Sequence, residues 1–138
     1  MQQLGLSAPS ERITGFTIPR DGSFYVCDHD EVWRVVIGPP LRTEESDHEP
    51  YAFMAQRDDF LGMGVGNGGS VLKHGETEIS YDFDPCRDHV TVTCAAGGQR
   101  RQIEFRTFSG DWFAASLSVD GRHLVLAEPY RIELYALT

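Results

Sequence analysis

Three cysteines and five histidines are the residues of this 138-residue chain best equipped for chemistry, and their spacing decides which chemistry is open. Cys27-x-His29 and Cys86-x-x-His89 together offer two sulfurs and two imidazoles, a donor set that zinc accepts. Structural zinc sites favour ligand pairs separated by two to four residues, which Cys-x-His does not provide. A chain of this length also has no need of a metal staple. Buried cysteines on strands, with histidines at loop edges, is the favoured reading. A metal site of Cys27, His29, Cys86 and His89 stays as the weak alternative, and no cofactor is expected.

The same histidines sit beside carboxylates, in Asp28-His29-Asp30-Glu31 and in Asp82-Phe83-Asp84-Pro85-Cys86-Arg87-Asp88-His89. A carboxylate that orients an imidazole makes a general base, so His29, Asp30, Asp84 and His89 are the candidate catalytic residues of a small hydrolase. Against this, neighbours on a strand point to opposite faces, and no G-x-S-x-G nucleophile elbow is present. Solvated turn residues are the simpler account. Gly64-Val65-Gly66-Asn67-Gly68-Gly69-Ser70-Val71 has the spacing of a phosphate-covering glycine loop. Such a loop must open a helix whose N-terminus receives the phosphates, and here Lys73-His74-Gly75 and another strand follow. A hairpin turn explains these glycines.

Charge points to a different class of function. The formal net charge is −9, with one lysine against eleven arginines, and Arg100-Arg101 is the only adjacent basic pair. Nucleic-acid binding needs a clustered basic surface to neutralise phosphates, so it is not expected, nor is an anionic membrane surface. A protein partner is expected, and a basic one fits the charge. The acidic segment supplies the candidate partner-binding residues Glu44, Glu45, Asp47 and Glu49. No run approaches the roughly 18 apolar residues of a membrane span, and MQQLGLSAPSER lacks the basic start and apolar core of a secretion signal. An odd number of cysteines agrees with free thiols in a reducing compartment. A cytoplasmic location is expected.

The elements that must position these residues read as strands. They are expected near 12–18, 24–28, 31–38, 51–56, 59–65, 70–74, 77–83, 89–95 and 101–108. Residues 1 to 11 read as a loose lead-in, and 41 to 50 as a polar surface loop. The tail, Asp111 to Thr138, is the clearest stretch. Phe113, Ala115, Leu117 and Val119 alternate with Trp112, Ala114, Ser116 and Ser118, the period of a strand. Asp120-Gly121 is a turn signal. Leu124-Val125-Leu126-Ala127 is apolar on both faces, as for a strand covered on both sides. Pro129 breaks the ladder, and Ile132, Leu134 and Ala136 resume it. Moved back 53 positions, this pattern meets Asn67-Gly68 and Val71-Leu72; moved back 99, it meets Asp21-Gly22 and Tyr25-Val26. Three repeated units are expected, near 12–56, 58–108 and 111–138.

Ser118-Val119-Asp120-Gly121-Arg122-His123-Leu124-Val125-Leu126, followed by Ile132-Glu133-Leu134-Tyr135, resembles a β-propeller blade of the WD-repeat class, and Pro19 to Val26 looks like the same segment. The fold class is therefore all-β, antiparallel meanders in three units, β-propeller-like. Propellers close with four to eight blades, so three units imply either a homodimer completing one ring or a β-trefoil or other closed barrel. The expected function is a non-enzymatic protein-binding module, an adaptor, inhibitor or bacterial immunity-type protein. The small hydrolase is the alternative.

Overall fold

In a computed structural model that describes residues 1–64 and 69–137, the regular secondary structure is almost wholly antiparallel strand, with one short helix. The strand β1 (Gln2–Leu4) comes first. The first sheet follows: β2 (Ile13–Thr17), β3 (Ser23–Asp28), β4 (Val32–Val36) and β5 (Arg42–Glu45) form a meander. After the helix α1 (Pro50–Gln56), β6 (Phe60–Gly62) returns to pair with β2, giving the order β5-β4-β3-β2-β6. The second sheet is a meander of β7 (Lys73–His74), β8 (Thr77–Tyr81), β9 (His89–Ala96) and β10 (Gln99–Arg106). The third holds β11 (Ala114–Leu117), β12 (His123–Glu128) and β13 (Arg131–Ala136), and β1 completes it by pairing with β13. Among the described residues no helix is long and apolar enough to cross a membrane.

The third sheet is the centre of a stack, because its apolar residues alternate on two covered faces. Trp112, Ala114, Val125, Ala127, Ile132 and Leu134 share a core with Ile13, Phe16, Phe24, Val26 and Val35 of the first sheet. Phe113, Ala115, Leu117, Leu124, Leu126 and Tyr135 share another with Ile79, Val90, Val92, Ile103 and Phe105 of the second. A period of two with both sets apolar buries a strand on both sides. The outer face of the second sheet carries Thr91, Thr93, Gln102 and Glu104, with Thr91 donating to Glu104 at 3.0 Å. The outer face of the first lies under α1. Neither outer face of the stack is an open apolar flank, while the sheets keep free edges at β5, β7 and β10.

Several sequence expectations are corrected here. The segment 51–56 is a helix and not a strand. Glu49 caps it, its carboxylate accepting from Tyr51 N at 3.2 Å and Ala52 N at 2.7 Å, and Pro50 fits the first helical turn. Phe53 and Met54 then fall on one face and cover Cys27, Val32 and Phe60. The lead-in contains β1, and the polar loop contains β5, an edge strand whose four residues are all exposed. The strands lie in three separate open sheets, so the trefoil or closed-barrel alternative does not hold among the described residues.

The turns bear on the repeat. Asp21-Gly22, with φ of 54° and 78°, joins β2 to β3, and Asp120-Gly121 joins β11 to β12. Both are the first corners of their sheets. The first corner of the second sheet is instead Gly75-Glu76, between β7 and β8. Residues 65–68 and 138, which include the Asn67-Gly68 corner and the middle of the glycine-rich loop, lie outside the described residues. Gly15 and Gly62 explain how β6 reaches β2. A Cβ on Gly15 would stand 2.1 Å from the Leu61 carbonyl oxygen, and one on Gly62 would stand 2.3 Å from that of Thr14. Only glycine permits that approach.

One buried charge ties the sheets together. Glu128 is fully buried at the β12–β13 corner, and its carboxylate accepts from Phe108 N at 2.6 Å, Ser109 N at 3.0 Å and Tyr130 N. Phe108 and Ser109 belong to the connection between the second and third sheets. Beside them, Pro129 O accepts from Ile13 N at the start of β2, at 2.8 Å. Buried carboxylates survive when backbone N–H groups replace the lost water in this way.

Candidate functional site

The residues that the sequence offers for catalysis are not brought together. His29 and Asp30 stand exposed at the β3–β4 corner of the first sheet, where His29 Nδ1 lies 2.8 Å from Tyr51 Oη. Asp84 and His89 belong to the second sheet, on the other side of the third. Asp84 shapes the turn before β9, accepting from Cys86 N at 2.9 Å, with Arg87 Nε 3.6 Å away. His89 opens β9 with Nδ1 3.4 Å from Asp88 Oδ1. A general base and its orienting carboxylate must meet around one substrate position, and these do not.

The alternative metal ligands are split in the same way. Cys27 and His29 lie in the first sheet, Cys86 and His89 in the second, and no group of three or more His, Cys, Asp or Glu among the described residues is arranged to hold an ion. The thiols differ sharply. Cys27 is buried under α1, and burial, aided by the Asp28 charge, pushes its pKa up to about 12. Cys94 is buried and its pKa is raised, again by burial, while Cys86 is exposed. Thiolates are the reactive form, so a disulfide reagent at pH 8 is expected to modify one thiol of the native protein quickly and all three after denaturation. Fast reaction of Cys27 in the native state would contradict its burial.

The acidic segment is divided between β5, the connection after it and the cap of α1. Glu45 on β5 is in register with Trp33 on β4. Its neighbour Glu44 points the other way, to Arg34 at 3.2 Å and Arg42 at 3.9 Å. Asp47 is exposed in the connection to α1, and Glu49 is engaged as the cap of that helix.

Glu45 and Trp33 border an acidic cleft with a volume of about 410 Å³. Its construction follows from the hairpin. Asp28 ends β3 and is 3 % exposed, its Oδ1 accepting from the N–H groups of Asp30 and Glu31 at 2.7 Å each. That tight corner turns Glu31 to the rim. Trp33, half-buried, is two residues on and lies on the same side of β4. Val26 and Ile132 form the floor, and the segment Leu6 to Ser10, between β1 and β2, forms the far wall. No basic side chain lines the cleft among the described residues. Carboxylates around an indole suit a cationic group, which gains both charge attraction and the ring quadrupole.

Asp28 and Glu31 stood out in the sequence only as neighbours of His29. Trp33 and the Leu6–Ser10 wall were not singled out, since Trp33 reads as one more apolar residue of a strand. No protein-family model matches the chain, and neither the curated proteins nor the solved structures contain a match.

Proposed function

We propose that the protein is a non-enzymatic protein-binding module whose acidic cleft receives an arginine or lysine side chain of a basic partner. The observation that carries this reading is the lining of the cleft: Asp28, Glu31 and Glu45 around Trp33, with no basic side chain to compensate them. Position adds support. The cleft opens beside β5, the outer edge of the first sheet, whose unpaired backbone groups can accept an extended segment as an additional strand. The three meanders read as propeller-like blades. Two features support that description: the completion of the last sheet by the N-terminal strand, and the match of β3 and β4 to β12 and β13 at an offset of 99 to within a residue.

Calorimetric titration with a synthetic arginine-rich peptide tests the reading. Saturable binding is expected at low salt, weakening as salt rises because the attraction is partly screened. The double variant Glu31→Gln, Glu45→Gln is expected to lose about tenfold in affinity, since charge-assisted contacts at a half-open site are each worth about 0.7 kcal/mol. Glu104→Gln, on the outer face of the second sheet, serves as the control. Equal losses in both variants would mean that the peptide senses only net charge, and the cleft would have no special role.

A further inference from the structure

We propose a second binding site, on the opposite face of the first sheet, that takes an oxyanion: a phosphoryl group or a carboxylate carried on a small organic ligand. This goes beyond the protein-binding reading and does not depend on it. The cleft has a volume of about 230 Å³ and is bordered by Arg20 at the β2–β3 corner, Arg34 of β4, and Arg57 after α1. Trp33 and Arg34 are consecutive on one strand, so the acidic cleft and this one necessarily lie on opposite faces. Three of the eleven arginines of a chain with net charge −9 converge here.

The donors are held in place yet retain bonding capacity. Arg57 is fixed by a bidentate pair with Asp59, at 2.9 Å for both contacts, and lies over the rings of Tyr25 and Phe53 at 5.6 and 5.1 Å. That pairing lowers the Asp59 pKa and raises that of Arg57. Arg34 reaches Glu44 Oε1 and Ser23 Oγ, each at 3.2 Å. A guanidinium carries five N–H donors, so both keep several to offer. Arg20 is exposed and makes no ion pair or side-chain hydrogen bond among the described residues. An independent sign of an acceptor comes from Thr17, which lines the cleft and is 1 % exposed. Its hydroxyl accepts from Tyr25 N at 2.9 Å, and its own proton has no acceptor among the described residues. Ser23 Oγ also accepts, from Arg34, and keeps a proton to donate.

Five donor groups therefore surround one space. Of the nearby carboxylates, Asp59 and Glu44 are engaged by arginines, while Asp21 at the rim and Asp58 beside Arg57 make no ion pair among the described residues. With the local charges nearly balanced, donor geometry and not net charge favours the anion, so weak binding of a bare ion is expected. The cleft is larger than a bare phosphate requires, and Tyr25 lines part of the remainder, which fits a ligand with carbon beyond its anionic group.

The test is an NMR titration of the full chain with inorganic phosphate and, separately, acetate, at ionic strength held constant with chloride. Saturable shifts of the Thr17, Ser23 and Tyr25 amides are expected, with a dissociation constant on the order of millimolar. Arg20→Gln is expected to weaken binding at least about fivefold, as the loss of one charge-assisted donor implies. Asp21→Asn, which tolerates the left-handed backbone at that position, is expected to tighten binding severalfold. Saturation by phosphate alone would assign a phosphoryl ligand, and saturation by acetate alone a carboxylate. Absence of saturable shifts with either ion, or affinities unchanged in both variants, would overturn the proposal.

Discussion

Glu128→Ala is expected to lower the stability of the protein by about 3 kcal/mol, because three backbone N–H groups lose their acceptor at once. The carboxylate is fully buried, and it holds Phe108 N, Ser109 N and Tyr130 N. A buried donor left without a partner loses about 1–3 kcal/mol, and water reaching the exposed side of Tyr130 recovers part of the sum. Glu128→Gln keeps the shape but replaces one acceptor oxygen with a donor that faces an N–H group. It is expected to cost about half as much. Urea denaturation reads both as a drop in midpoint at unchanged slope. Glu104→Ala, exposed on the second sheet, should stay within about 0.5 kcal/mol. If Glu128→Ala behaved like Glu104→Ala, the corner would be held by packing alone and the buried carboxylate would have another purpose.

The sequence patterns that told the truth were those set by a residue's immediate neighbours. The alternation from Trp112 to Val119 declared a strand, which forms over Ala114–Leu117 and leaves Val119 exposed, and the two-faced run Leu124 to Ala127 declared a strand covered on both sides, whose residues the cores place on the two faces so expected. The patterns that misled depend on contacts distant in the chain. In β1, only Leu4 is apolar, and its partner Leu134 is at the other end of the sequence. All four residues of β5 are exposed, so no periodicity marks it, and it forms because β4 presents a free edge. The helix hides in an acidic run, where Glu49 reads as one more solvated charge until Pro50 after it is recognised as a first-turn residue.

The sites follow the same rule. Glu45 was legible as an exposed carboxylate, but its cleft needs the tight Asp28 corner, the register of Trp33 against Glu45 and a wall from Leu6 to Ser10. His29 and His89 looked like partners because each has carboxylates nearby in sequence. They fail as a site because the third sheet stands between their sheets. The arginine cleft gathers residues 20, 34 and 57, and no local spacing rule connects them.

Leu126→Ala is expected to cost about 3–4 kcal/mol and to weaken all three sheets together. Leu126 is fully buried in the core shared with the second sheet, while its neighbours Val125 and Ala127 belong to the core shared with the first. Truncating a buried leucine costs about 2–5 kcal/mol, towards the upper part of that range where the surroundings cannot collapse into the cavity. A strand gripped on both faces is such a place. Because the third sheet supplies one wall of each core, its loss leaves the second sheet with no covered face and the first with only the small cluster under α1, and a single unfolding transition follows. Phe53→Ala provides the contrast. Phe53 packs with Cys27, Val32, Met54 and Phe60 on the outer face of the first sheet only, so its truncation should loosen α1 locally and make the Cys27 thiol reactive. Amide exchange distinguishes the two. Leu126→Ala should lower the protection of the slowest amides of β3, β9 and β12 by the same free energy, whereas Phe53→Ala should act first on α1 and its neighbours. If β9 kept its full protection in Leu126→Ala, the second sheet would be stable alone, and the central position argued for the third would be wrong.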